Sequence, residues 1–222
     1  AAARTGRRGA AALVVGNPTM PRLPGGEALA PLPDAEREAV AVARLLGTQA
    51  LTGARASKAA VVGRLRDARV VHLATHGLLD DLRGLGIPGA VALGPSAGDD
   101  GLLTAGEILD LDLGAELVVL SACDTARGRI TGDAVIGLAR SILSAGVPSL
   151  VVSLWAVPDA PTADLMTAFY RHLAREPNRA RALRQAMLEV RARHPHPLDW
   201  AGFVLIGEAE TGVPVFPERT AP

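Results

Sequence analysis

One cysteine, one tyrosine, two tryptophans and three phenylalanines stand among 222 residues, and aromatic side chains make up only 3 % of the chain. The lone thiol, Cys123, has no second cysteine to pair with, so nothing points to a disulfide framework or to the oxidising compartment it would signal. So few rings leave little on which unpaired bases can stack. Basic and acidic residues number 23 each, which gives no cationic excess to neutralise a phosphate backbone. Nucleic acid is therefore not an expected partner. A membrane is not expected either, because no apolar run reaches the length of about 18 residues that a spanning helix needs. The best candidate, 147–157, is broken by Pro148 and bounded by Pro158. These absences lead to the expectation of a cytoplasmic protein.

What remains is ordinary globular material, with 49 % apolar and 21 % charged residues. At roughly 150 residues per domain as a soft prior, one large domain accounts for the length. The chain starts at Ala1, and Arg4, Arg7 and Arg8 precede a short apolar stretch that Gly16-Asn17-Pro18 ends too soon for a secretory signal. The start reads as a cut from a longer polypeptide. The basic residues are arginines, Lys58 excepted, which reflects coding bias more than function.

Short apolar runs bounded by Gly, Pro or Asp predict strands over 11–15, 69–74, 117–122, 149–154 and 203–206. Most lack polar alternation, as strands covered on both faces do. Between them lie helical spacings: Ala39, Val42, Ala43 and Leu46; Val135, Leu138, Ala139 and Ile142; Leu165, Met166, Phe169 and Leu173; Leu183, Ala186, Met187 and Val190. A weaker helix is expected over 57–67. Strands alternating with helices predict an α/β sandwich whose central sheet is mostly parallel, because parallel neighbours need crossover helices. Its ligand edge lies beyond the carboxyl ends of the strands. The stretch 77–101, rich in Gly, Asp and Pro, is expected to be a long functional loop with at most a short hairpin around 90–93.

Two of the predicted strands run into residues that carry chemistry, His76-Gly77 and Cys123-Asp124. If the strands are neighbours, an imidazole and a thiol emerge side by side. A thiol near its reference pKa of about 8.5 is only a few per cent thiolate at neutral pH, and an adjacent imidazole that takes its proton makes it a nucleophile. Gly77, lacking a side chain, lets its backbone N–H approach an oxyanion, with the N–H of Cys123 as a second donor. The plainer reading is that Cys123 fills the core, since free cysteine is among the most buried residue types. His72, inside its strand, reads as a packed core histidine.

Six blocks of the sequence, in order, make the chain recognisable. They are Val71-His72-Leu73-Ala74-Thr75-His76-Gly77, Leu117-Val118-Val119-Leu120-Ser121-Ala122-Cys123-Asp124-Thr125, Ser153-Leu154-Trp155-Ala156-Val157-Pro158-Asp159, Phe169-Tyr170-Arg171-His172-Leu173, Ala182-Leu183-Arg184-Gln185-Ala186 and Trp200-Ala201-Gly202-Phe203-Val204-Leu205-Ile206-Gly207. They resemble the CHAT domain, a bacterial branch of the caspase-like (clan CD) cysteine peptidases. The resemblance extends from about Leu13 to Gly207, and the 47-residue step from His76 to Cys123 is close to the roughly 50 of the caspase pattern. It implies a caspase-like three-layer sandwich, His76 as general base, Cys123 as nucleophile, peptide-bond cleavage in a protein or peptide substrate, and no cofactor. Many relatives carry Thr-Gly-x-Gly after the cysteine, where this chain reads Thr125-Ala126-Arg127-Gly128, and Gly132-Asp133-Ala134 departs from the Gly-rich opening of the next helix. Both differences stiffen a loop and remove no catalytic group.

Substrate preference rests on fewer signals. In basic-specific members of the clan an acid often sits two positions before the cysteine, and here that position is Ser121. Asp124 and Asp159 keep a basic-specific pocket open, although Asp159 also reads as the N-cap of the helix that follows. Trp155, just past a strand end, either walls a side-chain pocket or fills space beneath the loops; Trp200 reads as core. His194-Pro195-His196-Pro197 lacks further ligands at zinc spacing and reads as a turn, and Asp99-Asp100 as a solvated loop tip, so no metal is expected. The arginines of 175–193 read as a solvated helix face.

Two rival functions compete with the peptidase. Cys123 and Arg129 stand at the Cys-x5-Arg spacing of cysteine phosphatases, but Asp124 would put a negative charge in the anion cradle and Ile130 replaces the usual hydroxyl residue. The stronger rival is a catalytically idle scaffold or sensor. CHAT domains often follow tetratricopeptide repeats, so the resemblance implies an N-terminal helical repeat region or a regulatory protein as partner.

Overall fold

Val70, Val71, His72, Leu73 and Ala74 are all buried, an unbroken run that marks a strand covered on both faces. A computed structural model of the chain describes residues 11–23, 25–78, 89–121, 132–155, 157–210 and 216, and for 132–136 the backbone alone. Along the described chain the elements are β1 (Ala11–Pro18), α1 (Pro33–Leu45), β2 (Ala50–Gly53), α2 (Lys58–Leu65), β3 (Ala68–Ala74), β4 (Gly77–Leu78), β5 (Ala90–Ala92) and β6 (Leu102–Thr104). There follow α3 (Ala105–Leu109), β7 (Leu117–Ser121), α4 (Gly132–Ser144), β8 (Ser149–Ser153), α5 (Asp159–Leu173), α6 (Arg179–Arg193) and β9 (Phe203–Gly207).

Six strands form one sheet in the order β2-β1-β3-β7-β8-β9, parallel except for β9. Alternate residues of each strand face opposite layers. Leu13, Val15, Val71, Leu73, Val118 and Leu120 pack with Val61, Leu65, Ile108, Leu138 and Ile142 of α2, α3 and α4. Val14, Val70, Leu117, Val119 and Val151 pack on the other side with Ala39, Val42, Leu165, Phe169, Leu183 and Val190 of α1, α5 and α6. The result is the expected three-layer sandwich with a mostly parallel sheet. From β1 the chain crosses to β2 on one side, and from β3 it proceeds towards β7 on the other, so the crevice at their carboxyl ends is a topological switch point. A Cβ at Gly16 would collide with Ala39 Cβ and the Ala35 carbonyl. The bare backbone there lets the first turns of α1 lie directly on β1.

The long-loop expectation for 77–101 needs correction. β4, β5 and β6 form a second, antiparallel sheet in that order, pairing Gly77 with Val91 and Val91 with Leu103. Each strand is two or three residues long, and β6 lies beyond the 101 boundary, so no periodicity accumulates for a pattern to be read. Residues 79–88 of the stretch lie outside the described residues. Edge strand β2, four residues long, was missed for the same reason. Helix α3 did have a legible signal, the capping box Thr104-x-x-Glu107, in which each side chain bonds the other residue's backbone N–H.

Lys58 fastens this second sheet to α2. Its ammonium donates to Glu107 Oε1 at 2.7 Å and lies 3.2 Å from Asp99 Oδ2, so Asp99 belongs to an ion pair and not to a freely solvated tip. Burial works against the charges, but the hydrogen bonds to Glu107 and Asp99 outweigh it and raise the lysine pKa. The same bond, with the Thr104 backbone and hydroxyl, outweighs burial at Glu107 and lowers its pKa from 4.5. A depressed acid contributes stability above its unfolded pKa and loses it as pH falls through the folded value. Lys58→Met is expected to lower unfolding free energy by about 2 kcal/mol at pH 7, the scale of a charge-assisted hydrogen bond, and by progressively less in denaturant titrations below about pH 4. A cost that stays constant down to pH 3 would show the Glu107 pair to be immaterial.

Candidate active site

The main sheet brings the expected strands together. β3 and β7 are parallel neighbours with Ala74 paired to Ser121, and β7 and β8 pair Leu120 with Val152. His76 follows Ala74 by two residues at the carboxyl edge of β3, and the neighbouring β7 ends at Ser121, two positions before Cys123 in the sequence. Cys123 and Asp124 themselves lie outside the described residues, as do Ala122, the last residue of the expected strand, and Arg129.

His76 is held from two directions. Its ring Nε2 is 2.7 Å from the carbonyl oxygen of Ala30, in the segment leading to α1. Its backbone carbonyl accepts from Ala92 N–H at 2.9 Å, while the preceding Thr75 Oγ1 donates to the Ala92 carbonyl at 2.7 Å. A carbonyl oxygen can only accept, so Nε2 carries the ring proton and Nδ1 is the acceptor nitrogen of the neutral ring. The residue is 2 % exposed, its ring bonded by the Ala30 segment and its backbone by β5. Gly77 faces Val91 in the antiparallel pair, and the Ala92-to-His76 bond makes this the non-hydrogen-bonded kind. Its N–H therefore turns away from β5.

Ser121 ends β7, buried, and its Oγ has no hydrogen-bond partner among the described residues. A buried hydroxyl without a partner costs about 1–3 kcal/mol. Trp155 stands two residues past β8, partly buried, and its Nε1–H donates to the Leu198 carbonyl at 3.1 Å. A Cβ at Gly202 would lie 3.1 Å from Trp155 Cε2, so the indole lies directly over that glycine, closing the gap between β8 and the approach to β9. Trp200 is partly buried beside the same cluster, with the Arg191 guanidinium 5.9 Å from its ring centre.

Asp159 does not cap its own helix. Pro158 occupies the N-cap of α5 and Asp159 is the first helical residue. Its carboxylate bonds the backbone of Asp34 and Ala35, in the first turn of α1, where N-cap Leu32 offers no side-chain acceptor. The unsatisfied N–H groups of α1 attract the acid more strongly than a helix start already framed by proline. Partial burial, then the charges of Asp34 and Glu38, raise its pKa above 3.8 despite those bonds.

His72 is the packed core histidine expected, 0 % exposed, with Nε2 2.8 Å from Glu38 Oε1. Ala30 was missed because any residue supplies a carbonyl. Glu38 was missed although a signal existed, a carboxylate on the same helical stripe as Ala35, Ala39 and Val42. The double-histidine segment forms a turn: His194 follows α6 and bonds Asp164 at 3.3 Å, and His196 Nδ1 accepts from Leu198 N–H. Among the described residues no group of three His, Cys, Asp or Glu side chains could hold a metal, and no helix is long and apolar enough to cross a membrane.

A mostly parallel sheet with helices on both faces, and a histidine at the strand end beside the strand that leads to the cysteine, defines a caspase-like α/β protein. The family model "CHAT domain" matches residues 1–208, and the chain belongs to that family. Tetratricopeptide repeat protein 28 of Mus musculus is 36 % identical over 230 residues, covering 88 % of this chain and 9 % of that protein. The Homo sapiens protein of the same name matches with the same figures. The chain thus spans about a tenth of these curated relatives, which are mammalian, so family membership does not place it in a bacterium. Among solved structures, the crystal structure of the Arg-specific cysteine proteinase gingipain R superposes with a TM-score of 0.62 at 11 % identity, over 90 % of this chain and 46 % of that one. The complex of Porphyromonas gingivalis RgpB pro- and mature domains gives 0.59 at 10 %, over 90 % and 47 %. At such identities the likeness establishes the caspase-like fold alone.

An aspartate whose pKa is raised on folding binds more protons folded than unfolded, so its ionisation costs stability as pH rises from 3.8 through the folded value. Asp159→Asn keeps an acceptor for the α1 backbone and removes that cost, whereas Asp159→Ala loses the cap, worth about 1 kcal/mol. Thermal melts are expected to rank Asn above Ala, with the Asn-minus-wild-type difference moving in favour of Asn from pH 3 to pH 7. The opposite drift would mean that the charge itself is stabilising.

Proposed function

We propose that the chain is a cysteine endopeptidase in which His76 and Cys123 act as a dyad on a protein or peptide substrate. The observation that carries the reading is the contact of His76 Nε2 with the Ala30 carbonyl oxygen. A carbonyl can only accept, so Nε2–H donates to Ala30 and Nδ1 is the nitrogen able to receive a proton, just past the strand that pairs with the one leading to Cys123. The thiol proton passes to Nδ1, and the thiolate attacks the scissile carbonyl carbon. The oxyanion that forms accepts from the N–H groups of Gly77 and Cys123. Collapse expels the amine, which takes the proton from His76, and leaves a thioester; water, deprotonated by Nδ1, then releases the acid and restores the thiol. These steps use no cofactor.

Ser121, Asp124, Trp155 and Asp159 are proposed to face the substrate. Of these, Ser121 has the best support in its partnerless buried hydroxyl, and Asp159 the least, since its carboxylate already bonds α1. The names of the curated relatives support a tetratricopeptide-repeat region or a regulatory protein as partner. A second reading, an idle CHAT module that serves as scaffold or sensor through protein contacts, has one observation in its favour: a 2 % exposed imidazole needs a rearrangement before it meets a substrate. A partner that triggers that movement reconciles burial with catalysis. The phosphatase alternative stays the weakest, because Asp124 would put a negative charge in the anion cradle and Ile130 replaces the usual hydroxyl residue.

The test is a peptide library with cut sites read by mass spectrometry, alongside labelling of Cys123 by an electrophilic peptide. Cleavage is expected to vanish in Cys123→Ala and to fall by about 10²–10⁴-fold in His76→Ala, the usual weight of a general base. Labelling as fast in His76→Ala as in the native chain would contradict the dyad and favour the idle module.

A further inference from the structure

We propose that Glu38, His72 and Tyr170 form a buried positioning relay that holds the His76 imidazole against the Ala30 carbonyl. The inference rests on the reading of His76 as general base. It starts from burial: Glu38 is 1 % exposed, His72 and Tyr170 0 %. Polar groups sealed in an apolar interior are costly unless hydrogen-bonded, and these bond one another. His72 Nε2 lies 2.8 Å from Glu38 Oε1, and the Tyr170 hydroxyl 3.3 Å from His72 Nδ1, with the two rings edge-on at 5.5 Å. Burial, and then the charge of Glu38, hold the tyrosine pKa well above its ordinary value, so the phenol keeps its proton. Donating that proton to Nδ1 leaves Nε2–H for the Glu38 carboxylate.

The elements so joined are those that carry the two halves of the His76–Ala30 bond. His72 is on β3, four residues before His76. Glu38 is on α1, and the segment entering α1 contains Ala30. Tyr170 is on α5, whose first residue, Asp159, bonds the opening turn of α1 one helical turn before Glu38. Apolar contacts of Ala39 and Val42 resist separation of helix and sheet but have no direction, so they tolerate sliding. A hydrogen bond of 2.8 Å does not, because it weakens steeply with distance and angle. The trio therefore sets where α1 stands along β3, and with it the distance from Ala30 to the His76 ring. An apolar trio of equal volume would fill the space without fixing that register.

The test reads the His76 ring itself, by ¹⁵N NMR of the full chain with labelled histidine, and does not require activity. The native chain is expected to show His76 as the Nε2–H tautomer. In Glu38→Ala the His76 signals are expected to move to a mixture of tautomers and the rate of Cys123 alkylation to fall about tenfold, within the range that a small misplacement costs. Glu38→Gln, which retains an acceptor for His72, is expected to restore both. Should Glu38→Ala not fold, Tyr170→Phe, lacking only the hydroxyl, carries the same readout with a smaller shift. If the His76 signals coincide with the native ones while only the melting temperature drops, the trio is structural and the proposal falls. Equal alkylation rates in native chain and His76→Ala would instead defeat the dyad, and the tautomer response would still decide the relay.

Discussion

A peptide carbonyl has lone pairs and no proton, and that asymmetry decides what His76 can do. With Nε2 2.7 Å from the Ala30 oxygen, the ring must donate there, and its basic nitrogen is left to the opposite side. The bond is long-range, joining residues 46 apart, so it exists only while β1, β3 and α1 keep their places. Gly16 contributes by allowing α1 to rest on β1, and Asp159 by tying the first turn of that helix. Thr75 and Ala92 fix the other side of the turn.

The proposed dyad belongs to the carboxyl edge of a parallel sheet, beside the switch point between β1 and β3 where strand connections diverge. A proteinase superposes on 90 % of the chain while sharing 11 % of its residues, which shows how little sequence the architecture demands. Function lives in the residues grafted on it. Relatives far longer than this chain contain a matching stretch within a protein named for its repeats.

Much of this was legible in the sequence because parallel strands buried on both faces are written as continuous apolar runs. The predicted strand over 69–74 differs from β3 by one residue, and β8 and β9 are similarly close. The adjacency of β3 and β7 was only a condition until the register of Ala74 with Ser121 met it. What escaped was short or non-specific: a four-residue edge strand, a sheet of two- and three-residue strands, and a carbonyl that any residue can supply. Asp159 shows a subtler limit. Its position before an apolar-periodic segment is a valid helix-start signal, yet the acid reaches for the start of another helix, which no local pattern encodes.

The most direct measurement is a crystal structure of the chain trapped with a peptide aldehyde, in which a sulfur–carbon bond at Cys123 reports the attacking atom. The expected result places His76 Nδ1 within about 3.2 Å of the hemithioacetal, directly or through one water, with Nε2–H still on the Ala30 carbonyl and the Gly77 N–H on the oxygen. An adduct at Cys123 with the imidazole still enclosed and out of reach, or no adduct under conditions that label free thiols, would contradict it.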